Sequence, residues 1–443
     1  MTTVGRDARH VWHPFTQHSV WADEPPLAIA SGHGPYLVGE DGREYLDGCS
    51  SLWVSVHGHR EPAIDAAIRT QLDRVAHSTF LGLTHEPAVA LAERLIQTAP
   101  PGLTRVFYAG DGSSAVEAAL KMAYQSAYQR GESRPLYVRV EHGYHGDTLG
   151  AVSVGGIDTF HAAYRPLLLE TRAVSSPGIR AAGQPPEDRA REVVAELALL
   201  LEREGRNVSA VVVEPLVQAA GGILTHDPAF LRGVRDLCTR HGVLMLADEV
   251  ATGVGRTGTM WACEQAGVAP DLLTCGKGLS GGYLPIAAVL ATEAVYEAFL
   301  GRPEDARTFF HGHTYTANPL ACAASVANLD LMAERGTVAR AAALGERLGT
   351  WLEPLRANAS VADLRRAGTM TGIELRRADG RPYDPALRVG HRVCRLARDR
   401  GVLIRPLGDV VVLMPPLALP DAEAKTLVEV TTACVADVTA DLA

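Results

Sequence analysis

Two residues have the types and placement for covalent chemistry. Asp248 closes the apolar run Val243–Ala247 (VLMLA), and Lys277 follows Gly276 at the end of DLLTC. In open parallel sheets, ligands bind beyond the carboxyl ends of strands, so both side chains are expected to face one crevice. A lysine there can form a Schiff base with an aldehyde once burial lowers its pKa. A carboxylate there can keep a ring nitrogen protonated, because an opposite charge favours the charged form. A protonated ring acts as an electron sink and makes a nearby Cα–H acidic. Taken singly, Asp248-Glu249 reads as a cap and Lys277 as a surface lysine. Taken with the segments that follow, the pair reads as a site for an aldehyde ligand carrying a ring nitrogen.

Such a ligand carrying a phosphate needs an anion cradle. Gly110-Asp111-Gly112-Ser113-Ser114 lies between a strand and a helix signal, where free N–H groups and the helix dipole favour an anion. Tyr144, in Gly143-Tyr144-His145-Gly146-Asp147, can stack on a ring or simply fill a core. Gly253-Val254-Gly255-Arg256-Thr257-Gly258 matches G-x-G-x-x-G. No capped helix opens at those glycines, so a loop is expected there and not a dinucleotide site. The pairs His57/His59 and His311/His313 lack a third ligand at helical spacing, which favours structural or substrate-facing roles over metal.

The elements that must position these residues alternate. Strand signals fall at Arg105–Ala109, Leu136–Val140, Ser209–Val213, Val243–Ala247, Leu272–Cys275 and Ile286–Leu290. A helix is expected after Gly112, with Ser114 and Glu117 at capping-box spacing, and another from Pro228 to Arg240, with Gly242 just past its end. Strands separated by helices imply an α/β fold with a mostly parallel sheet. Residues 35–47 read as a hairpin around Asp41-Gly42, and 175–186 as a loop. An Ala/Leu-rich helix is expected from about 320 to Leu355, then strands at Met370–Leu375, Val402–Ile404 and Val410–Leu413. Residues 1–60 and 326–443 are read as one smaller α+β domain against a large domain of 61–325.

The 443 residues are 47% hydrophobic and 21% charged, an ordinary globular balance. A net charge of −9 disfavours nucleic acid as a partner. No signal peptide or membrane span is legible. The seven cysteines include no Cys-x-x-Cys pair, which fits reduced thiols. A cytoplasmic protein acting on small molecules is expected.

The runs VVVEPLVQAAGG, ADEVATGVGRTGTMWACE, DLLTCGKGLSGGYLP and HGHTYTANPLACAA resemble the class III, fold type I pyridoxal-phosphate aminotransferases over nearly the whole chain. The resemblance implies pyridoxal 5′-phosphate as cofactor, Lys277 as its Schiff-base lysine and proton shuttle, and Asp248 as partner of the pyridinium. It implies that Gly112 and Ser113 bind the phosphate, joined by His313 and Thr314 from the neighbouring subunit of a homodimer. Tyr144 is implied to stack on the ring and touch substrate, and Gly312 to line the pocket with Phe15, Leu52 and Trp53. HVWHPFTQ, SSLWVSVHGH, GYHGDTLGA and VLIRPLGDVVVLMPP resemble the branch of the class that serves biotin synthesis. That branch implies transfer to 8-amino-7-oxononanoate with S-adenosylmethionine as donor. Lysine as donor, or another ω-amino acid or diamine substrate, is the alternative. Arg405 is then expected to hold the far carboxylate of the keto substrate as a buried fork. Members that use glutamate commonly carry an arginine where this chain has Val412. Many members have Trp-Trp at Leu52-Trp53, and Tyr at Phe15.

Overall fold

The computed structural model describes residues 2–21 and 24–442. Its centre is a seven-stranded sheet. In chain order the strands are β1 (Leu103–Ala109), β2 (Leu136–Val140), β3 (Thr171–Val174), β4 (Val208–Val213), β5 (Leu244–Asp248), β6 (Leu272–Cys275) and β7 (Ala287–Thr292). Their spatial order is β1-β7-β6-β5-β4-β2-β3, and only β7 runs against its neighbours. The sheet is therefore mostly parallel, as the alternating pattern implied.

Every residue of β4 is buried, and from Ala210 to Val213 its side chains alternate between two cores. Val208, Val211 and Val213 meet the helices Pro186–Glu204 and Pro228–His241, whereas Ala210 and Val212 meet the helix Gly112–Gln129. A strand covered on both faces has no polar side, which is why SAVVV shows no alternation. The helix Pro228–His241 is capped by Asp227 and ends at Gly242 in the left-handed region, φ 62°.

Two local expectations are corrected. The helix Gly112–Gln129 is capped by Asp111, whose carboxylate accepts from Ser114 N at 2.8 Å. Glu117 instead reaches out to accept from Gly150 N at 2.7 Å. The long helix after 320 is two, Pro319–Glu334 and Thr337–Leu352, broken at Gly336 with φ 58°. Helical periodicity continues across that break, so the pattern alone could not reveal it. The first of the two runs through residue 325 and packs on the helices Pro62–Leu72 and Glu86–Thr98.

The chain ends meet. Tyr36–Gly39 and Glu44–Asp47 form the expected hairpin, extended by Ile29–His33, and Val402–Leu403 adds in parallel to Glu44–Asp47. Val361–Ala367, Met370–Leu375, Val410–Leu413 and Arg405–Leu407 make an antiparallel sheet. Buried Arg256, in the loop of the glycine motif, ties these parts to the large sheet. It donates to Pro415 O at 2.6 Å, and to Thr369 Oγ1 and Ser55 O at 3.3 Å. The glycine motif is a structural loop, as read from its missing helix.

Candidate active site

Because β1, β2, β4, β5 and β6 all run one way, their carboxyl ends share an edge. Beyond that edge is a cavity of about 440 Å³ whose walls include Trp53, Ser113, Tyr144, Glu214, Asp248 and Lys277. Apart from Trp53, residues far apart in sequence meet there through strand order.

Asp248 ends β5 directly beside Thr274 of β6. Its Oδ1 accepts from Thr274 Oγ1 at 3.0 Å and Val250 N at 3.1 Å, and its Oδ2 lies 2.7 Å from His145 Nδ1. Three contacts lock the carboxylate's orientation and leave lone pairs for a ring N–H, since a carboxylate offers about four acceptor sites. For His145 burial opposes charge, but the hydrogen bond and charge of Asp248, helped by Glu214, lift its pKa above the ordinary value.

Lys277 opens a 3₁₀ turn with φ 42°, a left-handed backbone that a non-glycine residue adopts at some cost. Burial pushes its ammonium pKa below the ordinary lysine value, and Asp248 and Glu214 partly oppose that shift. Its Nζ lies 5.5 Å from the centroid of the Trp53 ring. Trp53 is itself left-handed, φ 67°, on a segment pinned from both chain ends. Ser51 N donates to Asp47, Ser50 Oγ donates to Met414 O at 2.7 Å, and Ala418 N donates to Val56 O at 3.0 Å. That turn sends Trp53 inward over Lys277 and leaves Leu52 half exposed.

The glycine turn fits an anion. As the first residues of the helix Gly112–Gln129, Gly112 and Ser113 have backbone N–H groups with no acceptor among the described residues. A Cβ on Gly112 would sit 2.6 Å from Val250 Cγ1, and one on Gly146, at φ 121°, would sit 2.3 Å from Ser113 Oγ. The Ser113 hydroxyl is already ordered by Thr148, whose N donates to it at 3.0 Å. Gly112→Ala is therefore expected to push the cradle off Val250 and raise the cofactor Kd about tenfold, roughly 1.4 kcal/mol. Titrating the apo-protein with cofactor checks this.

Glu214, at the end of β4, was not singled out from the sequence as a site residue. Its carboxylate accepts from Tyr144 N and Ala219 N, both at 3.0 Å. Burial lifts its pKa to about 7, with Asp248 adding to the rise and His145 and the two amides opposing it. His145, Thr148 and Thr274 were missed as well: they lie inside the runs GYHGDTLGA and DLLTC, but their types and spacing assign them no role. Tyr144 donates its hydroxyl to Asp147 Oδ2 at 2.9 Å and packs edge-on against Phe160. Glu249 turns away from the cavity and accepts from Ala262 N, Cys263 N and Thr252 Oγ1, a structural cap.

The other expected residues lie elsewhere. Arg405, Phe15 and Leu52 line a separate groove of about 790 Å³. Arg405 is exposed, which corrects the buried fork: it stands at the start of the edge strand Arg405–Leu407. Val412, its neighbour across that pair, is fully buried. Gly312, His313 and Thr314 are exposed and line neither space. The His313 ring packs beside Gly110 of its own chain, where a Cβ would come within 3.1 Å. His59 pairs with Asp47 at 3.0 Å, and no group of three metal-ligating side chains occurs among the described residues.

A mostly parallel sheet with a desolvated lysine, an oriented carboxylate and an anion cradle at one edge defines a pyridoxal-phosphate enzyme of fold type I. Residues 17–435 match the family Aminotransferase class-III, and the chain belongs to that family. The adenosylmethionine-8-amino-7-oxononanoate aminotransferase of Nitratidesulfovibrio vulgaris Hildenborough is 53% identical over 429 residues, covering 95% of this chain and 79% of that protein. The crystal structure of the enzyme of that name from Methanocaldococcus jannaschii aligns with TM-score 0.93 at 36% identity, covering 98% of both chains. An omega transaminase from Pseudomonas jessenii, solved in complex with PMP, aligns with TM-score 0.95 at 27% identity over 99% of both chains. No helix among the described residues is long and apolar enough to cross a membrane.

Proposed function

We propose that this aminotransferase converts 8-amino-7-oxononanoate to 7,8-diaminononanoate in biotin synthesis, with S-adenosylmethionine as amino donor. The observation that carries the reading is Arg405 beside Val412. Of these two paired positions, Val412 is buried and Arg405 is the exposed, cationic one that lines the groove. An α-carboxylate of the glutamate type finds no charge at Val412, whereas a long acceptor can reach Arg405 with its far carboxylate. The naming of the 53% identical relative supports the same substrate.

When bound, pyridoxal phosphate supplies the electron sink and carries the amino group between the two half-reactions. In this reading Gly112 and Ser113 hold its phosphate and Asp248 keeps its ring nitrogen protonated. Lys277 anchors the cofactor and moves the proton, its lowered pKa making a neutral amine accessible. Trp53 covers the lysine and excludes water, and Tyr144 lines the ring. Phe15 and Leu52 border the path to Arg405. A homodimer completes the site, with His313 and Thr314 of each chain serving the other and Gly312 lining the pocket, which suits their exposure here. Residues 1–60 and 326–443 act as one smaller domain against 61–325, supported by the pairing of Glu44–Asp47 with Val402–Leu403. The seven cysteines, all buried and free, suit a cytoplasmic enzyme.

Lysine is the second reading for the donor, favoured by one observation. Leu52 faces the groove as an aliphatic side chain where many family members carry a tryptophan, so a sulfonium cation finds one aromatic face fewer there. Mixing the cofactor-loaded enzyme with each amine decides between them. Adenosylmethionine is expected to bleach the visible band of the aldehyde form. Bleaching by lysine alone overturns the donor, and failure to aminate 8-amino-7-oxononanoate with either overturns the acceptor.

Arg405→Ala is expected to raise KM for the keto acid about 10- to 100-fold, the size of one charge-assisted hydrogen bond of about 1.5–3 kcal/mol. The donor half-reaction should be unchanged if the donor does not reach the groove. Steady-state kinetics on each substrate checks the split.

A further inference from the structure

Glu214 is a buried acid next to the reacting groups for which the mechanism above has no use. It is 6% exposed and sits at the carboxyl end of β4, facing the Gly143–His145 turn. Its two oxygens accept from two different loops, Tyr144 N on one side and Ala219 N on the other. A Cβ placed on Gly143 would lie 3.2 Å from His145 Nε2 and 3.7 Å from Glu214 Oε2, so the imidazole and the carboxylate flank one point. Since His145 Nδ1 is on Asp248, the ring stands between two carboxylates.

We propose that Glu214 is a positioning residue for the reaction: as a carboxylate it latches the turn that aims Tyr144 and His145 into the cleft, and on taking up a proton it loosens that latch. The inference rests on the cleft holding the cofactor and not on which amine or keto acid reacts. A charged acceptor makes hydrogen bonds roughly twice as strong as a neutral one, so one proton weakens both amide contacts together. The groups facing it are Tyr144 and His145 from the turn, Asp248 at the end of β5, and Lys277 beyond β6. His226 lies behind it, 3.2 Å from the Glu214 carbonyl oxygen. Burial among these groups brings the acid to about 7, so the switch falls within working pH. The latch is then weak below that value and strong above it.

Glu214→Gln keeps the size but removes the charge and one of the two acceptor oxygens. Hydrogen exchange of the apo-protein at pH 8, followed on the peptide spanning Gly143–Asp147, is expected to run several-fold faster in the variant. Visible circular dichroism of the cofactor-loaded enzyme reports the asymmetry around the ring. It is expected to change with an inflection near pH 7 in the wild type and to be flat there in Glu214→Gln. Glu214→Asp, which keeps the charge on a shorter arm, is expected to retain the inflection with intermediate exchange, and it carries the test if the glutamine variant does not fold. Equal exchange rates, or an unchanged inflection in Glu214→Gln, overturns the proposal.

Discussion

Lys277→Ala is expected to abolish turnover, by on the order of 10⁴-fold or more, because one substitution removes both the covalent anchor and the proton carrier. The visible band of the lysine-bound cofactor should vanish with it. The fold should survive. Alanine occupies the same left-handed backbone, φ 42°, with no penalty beyond the one lysine already bears. Removing a cation whose pKa is lowered by burial also relieves desolvation instead of opening a paired core. Single-turnover assays with excess cofactor, beside a thermal melt of the apo-protein, check both halves. Turnover within tenfold of wild type would sink the assignment of Lys277.

Asp248→Asn is expected to slow amino transfer on the order of 10³-fold while leaving the cofactor attached. The amide cannot balance a ring N–H⁺ as a carboxylate does. The local geometry adds a second cost. One oxygen of Asp248 accepts from Thr274 and Val250, and the other meets His145. Whichever way the new amide turns, its NH₂ faces a group that had been donating. The cheapest repair is a change of His145 to the tautomer protonated on Nε2, so that Nδ1 accepts from the new amide. Nitrogen NMR of the histidine rings should detect that change, and stopped-flow half-reactions the rate. A variant as fast as wild type in both half-reactions contradicts the role of Asp248.

The convergence of Asp248, Lys277, Gly112 and Ser113 was legible because they sit where local pattern is strongest. The runs VLMLA and DLLTC are short, apolar and buried, and such strands in parallel sheets place the next residue at the ligand edge. Asp248 and Lys277 inherit their positions from those strands. Gly112 and Ser113 inherit theirs from a strand–turn–helix junction. Where helical periodicity persisted through a break, as at Gly336, or a nearer cap was present, as at Asp111, the local reading went astray.

What the sequence determined by itself was thus the fold class and the placement of a lysine, a carboxylate and a glycine turn at one sheet edge, all written in contiguous segments. The tertiary structure alone decided the rest. His145 and Glu214 become partners of the centre only because β2, β4 and β5 end side by side. Trp53 turns over Lys277, and Leu52 away from it, because Asp47 and Met414 hold an intervening left-handed turn. Arg405 is exposed because it begins an edge strand. Side-chain direction in such places depends on backbone pinned by contacts hundreds of residues away, and local spacing carries no record of those contacts.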